Sequence, residues 1–145
     1  MDTNTRIRLS LAALRYGVFI VFLMWTLDKF VQPEHAAAVF KNFYFLGIST
    51  NLSYLIGGVE MVLILAFVVG FQKRFTYGAI LVLHGISTFS SYRQYLDPFN
   101  NLLFFAAWPM LAACLALYLL RDLDTLGTVG GKQVPQGEAP NRVSS

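Results

Sequence analysis

Charge is what this chain has least of. Only 13% of its 145 residues are charged, against 56% hydrophobic and a mean hydropathy of +0.55. A soluble domain is usually about a quarter charged, so too little polar surface is left to keep the chain in water. Cysteine is nearly absent as well. The single Cys114 excludes an internal disulfide and any CxxC redox pair, and it reads as a small packing residue in an apolar helix. Histidine occurs twice, at His35 and His84, on two different expected levels, which argues against bis-histidine haem ligation. No metal-ligand cluster, Gly-rich phosphate loop or Ser-His-Asp spacing is present. The net charge of +3 does not point to nucleic acid, because the basic residues lie between apolar runs, as the loop charges of a membrane protein do.

Long apolar runs are what the chain does have. Crossing a bilayer takes about 20 predominantly apolar residues. Four segments fit: residues 9–29, 52–71, 75–92 and 99–120. The runs are continuous rather than alternating, which excludes a β-barrel. The expected fold is therefore all-α: an integral membrane antiparallel four-helix transmembrane bundle occupying residues 1–126. The first run continues past any small-residue cleavage site and reads as an uncleaved span. With the N-terminus inside, Arg6, Arg8, Arg15, Lys73, Arg74, Arg121, Lys132 and Arg142 are internal, against Lys29, Lys41 and Arg93 outside. The positive-inside rule thus places both termini in the cytoplasm. Between the first two spans, Pro33 opens a segment that ends in the aromatics Phe40, Phe43, Tyr44 and Phe45, read as a short external interfacial helix. Residues 127–145 are Gly, Pro, Ser and polar and read as a disordered cytoplasmic tail.

Ionisable groups at bilayer depth are costly and need partners, which makes them functional candidates. Counting residues at about 1.5 Å each puts Glu60 and His84 near the midplane on the two arms of one tight hairpin. A Glu60–His84 hydrogen bond is expected, serving either as a proton relay or as polar glue between helices. Tyr77, His84, Ser87, Thr88, Ser91 and Tyr95 form a polar stripe along the third span. Arg15 either snorkels to the cytoplasmic surface or turns inward toward the level of Glu60. At the outer boundary, Asp28, Lys29, Asn51, Ser91, Arg93, Asn100 and Asn101 are candidates for a pocket roofed by the aromatic segment, or are ordinary polar helix ends. Pro109 is expected to kink the fourth span.

Arg15-Tyr16-Gly17, Asp28-Lys29-Phe30, and Gly57-Gly58-Val59-Glu60 followed by Gly70 resemble the DoxX/DoxD-like family of small four-helix membrane proteins, over residues 10–120. Thr26 stands where the family's pattern has glycine. Arg15, Lys29 and Glu60 match family-like positions, whereas His84 is inferred from spacing alone. The resemblance implies a multi-pass protein of the bacterial inner (plasma) membrane. Some relatives are small membrane subunits of a thiosulfate:quinone oxidoreductase, and others are linked to oxidative-stress assemblies. The expected role is an accessory or anchor subunit of a quinone-linked redox complex. It would not be catalytic alone, would bind no cofactor covalently, and would have quinone as its possible ligand and a redox enzyme as its partner. The alternatives are a proton-coupled transporter or exporter working as a homo-oligomer, or a non-enzymatic membrane assembly factor.

Overall fold

A computed structural model describes residues 1–130; residues 131–145, most of the expected tail, lie outside it. The described residues are helical, without strands. The elements are α1 (Thr3–Val31), α2 (Pro33–Tyr44), α3 (Thr50–Val68), α4 (Lys73–Ser90), the single turn α5 (Tyr92–Tyr95), two 3-10 segments (Pro98–Asn100 and Leu102–Ala106) and α6 (Ala107–Leu119).

Local chemistry sets most of these boundaries. The Asp2 side chain caps α1 by accepting from Thr5 N–H at 3.1 Å. Hydrogen bonds from Thr5 hold the Asp2 carboxyl below its ordinary pKa. That cap is therefore intact above the ordinary carboxylate range and is lost as pH falls through the lowered value. Pro33 ends α1 by forcing Gln32 out of helical geometry (φ −133°, ψ 66°), and it starts α2 at a position where its missing N–H costs nothing. Ser49 caps α3 through Leu52 N–H at 3.2 Å. Between α3 and α4 the chain reverses at Gly70, whose φ of +69° suits glycine.

Three helical stretches are long and apolar enough to cross a membrane: α1, α3 and Leu102–Leu119. Only 28%, 22% and 11% of their apolar windows are buried in the protein. Most of that apolar surface faces outward, which supports a membrane protein. The third expected span, 75–92, is also a helix, α4, but it is less apolar than the other three. Its polar residues are the reason, and several of them point inward: Thr76, Tyr77, His84 and Thr88 are buried. Pro109 does not kink a continuous helix. It lies in the first turn of α6, where proline is tolerated, and a 3-10 run precedes it.

Leu11, Val18, Phe22, Ile64, Phe67, Tyr77, Ile80, Cys114 and Leu117 form the core. Helix α1 packs most extensively on α3, and α4 on α6. The α1–α3 seam closes over Gly57, where a Cβ would lie 3.0 Å from the Phe30 ring and 3.2 Å from Lys29 Cβ. Gly57→Leu is expected to cost about 1–3 kcal/mol by overpacking, read as a lower unfolding midpoint in detergent. An unchanged midpoint would show that the seam has slack.

Candidate functional site

Two polar centres lie at different levels of the molecule. The first joins the ends of several elements. Arg15, fully buried on α1, pairs with the fully buried Asp124 beyond α6. A second Arg15 nitrogen donates to the Leu126 carbonyl at 2.6 Å. Tyr77 OH donates to the other Asp124 carboxylate oxygen at 2.7 Å, and Lys73 Nζ donates to the Asp124 backbone carbonyl. The chain after α6 thus folds back over the α3–α4 turn, where Val129 N–H donates to the Val69 carbonyl at 2.8 Å. Residues 127–130, expected to be the start of the tail, belong to this arrangement. Arg15 neither snorkels out nor turns toward Glu60, because a carboxylate at its own level holds it.

The second centre lies around Lys29. Its ammonium is 2.7 Å from Glu60 Oε2, close enough for an ion pair though not aligned as a hydrogen bond. Lys29 also donates to the Trp25 carbonyl at 3.2 Å, and its own carbonyl accepts from Ser53 Oγ at 3.4 Å. Nearby, Asp28 pairs with His35 Nδ1 at 2.7 Å at an exposed position.

The expected Glu60–His84 hydrogen bond is not formed. His84 Nε2 lies 2.9 Å from the Ala107 carbonyl instead. A carbonyl only accepts, so Nε2 carries the proton. Helices α3 and α4 share a turn but pack mainly on different neighbours, so Glu60 meets α1 while His84 meets the start of α6. Trp25 stacks on the imidazole, with ring centroids 6.0 Å apart.

Two cavities flank this region. The larger, about 1440 Å³, has Asp28, Lys29, Glu60 and Ser91 in its wall, with Phe40, Phe43, Tyr44 and Phe45 from α2 and its C-cap. The smaller, about 600 Å³, lies between α1, α4 and the 102–113 stretch, with His84, Ser87 and Ser91 in an otherwise apolar lining. Trp25, Ser87, Ser91 and Phe104 belong to both walls.

Of the expected boundary residues, the structure brings Asp28, Lys29 and Ser91 to the larger cavity beside Glu60. Asn51, Arg93, Asn100 and Asn101 line neither cavity. Asn51 is exposed. Asn100 and Asn101 bind Asp97 locally, the former at 2.9 and 3.1 Å to its carboxylate. The Arg93 guanidinium lies 5.3 Å from the Phe45 ring centroid. Asn100 and Asn101 thus bond within their own loop. The residue that the sequence reading missed is Asp124. A signal was present: Arg15 and Lys73 were assigned to one side of the membrane, and Asp122 and Asp124 follow the last span on that same side.

Compared with family models, curated proteins and solved structures, the chain finds no match.

Proposed function

We propose that the chain is a four-span DoxX-like inner-membrane protein that serves a quinone-linked redox complex as its accessory subunit. In this reading α1, α3, α4 and the 102–119 stretch cross the bilayer as an antiparallel bundle. Helix α2 lies at the outer interface, and both termini are cytoplasmic. Arg6, Arg8, Lys73, Arg74 and Arg121 at one boundary, against Lys41 and Arg93 at the other, support the orientation. The less apolar α4 is accommodated because its polar stripe is turned to the protein interior.

One observation carries the functional reading. An ion pair, Lys29–Glu60, stands in the wall of a large, mainly apolar cavity roofed by aromatic side chains. Such a cavity admits a lipid-soluble ring. The Lys29 ammonium can donate to a carbonyl oxygen on that ring, and the Glu60 carboxylate can accept a proton when the reduced form is reoxidised. The electrons come from or go to the partner enzyme. The hydrogen-bonded Glu60–His84 relay is not part of this scheme.

The test begins with gentle purification of the tagged protein from its native membrane and identification of what accompanies it. A stoichiometric redox enzyme is expected. In that complex, Lys29→Met and Glu60→Gln should each lower quinone-linked turnover by about a hundredfold, the scale of a lost proton-transfer group, with the folded yield preserved. Arrival of the chain alone, or unchanged turnover in both variants, would overturn the reading.

A further inference from the structure

The smaller cavity contains chemistry that the Lys29–Glu60 site does not use. His84 is 1% exposed. Its Nε2–H is committed to the Ala107 carbonyl, and the structure gives its buried Nδ1 no hydrogen-bond partner. Among the described residues no carboxylate pairs with the ring. In the neutral imidazole, Nδ1 is a lone-pair acceptor. An unpartnered acceptor held away from water is costly and calls for a donor.

The other polar groups of this wall are the Ser91 and Ser87 hydroxyls and the Trp25 indole N–H. The Ser91 hydroxyl spends its hydrogen on the Ser87 carbonyl at 3.0 Å, so its oxygen is left to accept. Thr88, behind the ring, donates to the His84 carbonyl at 2.8 Å. Among the described residues no Lys, Arg, Asp or Glu lines the cavity, and the rest is Ala, Gly, Val, Leu, Met and aromatic. An apolar lining excludes a charged ligand, because neither sign would find a counter-ion. The unpartnered Nδ1 selects a ligand that brings its own hydrogen. The volume, about 600 Å³, suits a small molecule.

From this we infer that the cavity between α1, α4 and α6 is a binding site for a neutral, lipid-soluble hydroxyl compound, whose O–H donates to His84 Nδ1 while its apolar body fills the space along Gly17, Val21 and Met110. Trp25 is the entry group. It lies against the imidazole, it is 43% exposed, and it belongs to both cavity walls, so its displacement gives access to the ring. The inference does not rest on the quinone-linked reading, since it concerns a separate cavity and needs no partner enzyme.

The test uses a matched pair of probes, 4-butylphenol and 4-butylanisole, which differ in the hydroxyl hydrogen. The chain has two tryptophans, so Trp108→Phe leaves Trp25 as the only indole emitter. In that protein the phenol should change Trp25 emission saturably, and the anisole should bind about tenfold more weakly, the scale of one buried hydrogen bond. Adding His84→Phe should erase the difference between the probes. Independently, in ¹⁵N-imidazole-labelled His35→Gln protein, where His84 is the remaining histidine, the phenol should move the Nδ1 resonance upfield and the anisole should not. Equal binding of the two probes, a phenol preference that survives His84→Phe, or an unmoved Nδ1 resonance would overturn the inference. If the His84→Phe protein does not fold, the nitrogen resonance decides alone.

Discussion

Arg15→Met and Asp124→Leu, introduced singly, are each expected to lower stability by about 3–5 kcal/mol, and introduced together to lower it by less than either alone. Both side chains are fully buried and each is the other's counter-ion. Removing one leaves the other charge buried without its counter-ion, which costs far more than the lost attraction. Removing both leaves apolar groups of similar bulk. The surviving polar partner is then Tyr77, whose OH donates to Asp124 in the intact protein. Tyr77→Phe alone should cost about 1–3 kcal/mol, because it strips a donor from a buried carboxylate. Reversible unfolding in detergent measures all four proteins. Single losses that simply add in the double variant would show that the two charges do not depend on one another.

Gly70→Ala is the second substitution with a large expected effect, and it acts on the same end of the molecule by a different route. Gly70 has a φ of +69°, and a Cβ there would lie 2.7 Å from both Cβ and Cγ2 of Thr128. A left-handed non-glycine residue costs about 1–3 kcal/mol by itself. The clash is an added cost, because a Thr Cβ is fixed to its backbone. The 127–130 segment is expected to lift off, exposing the Val129 amide that now donates to Val69. Amide hydrogen exchange at Val129 should rise sharply, while amides in the middle of α3 stay protected. Thr128→Gly added to Gly70→Ala should recover the Val129 protection in part, since it removes the clash and leaves the backbone strain. No recovery would mean that strain alone displaces the segment.

The sequence was informative about elements and much less so about pairings. Runs of apolar residues mark α1, α3 and the 102–119 stretch, and Pro33 marks the start of α2, because each of these depends on local chemistry. Glu60, Lys29, Arg15 and His84 stand out individually, because a polar group in an apolar run is conspicuous wherever it ends up. What spacing cannot give is the neighbour toward which a helix turns its polar face. Residue depth put Glu60 and His84 at one level, and the α3–α4 turn suggested contact. Their partners are instead Lys29 on α1 and the Ala107 carbonyl. Asp124 was hidden for a related reason. It lies past the last apolar run, where charge is expected to meet water, yet the chain folds back and buries it. Pro109 was misjudged by register, since a helix that begins at Ala107 places it in a tolerant first turn.

The Arg15–Asp124 pair also has a consequence in time. Its members are separated by 109 positions along the chain. At about 5–20 residues per second, Asp124 leaves the ribosome several seconds or more after Arg15. Throughout that interval Arg15 lacks the carboxylate that holds it in the finished fold. The nascent protein therefore stays open at this end until nearly the whole bundle has been made. A chain that terminates between Leu120 and Asp124 carries every apolar helix and still lacks the carboxylate that holds Arg15.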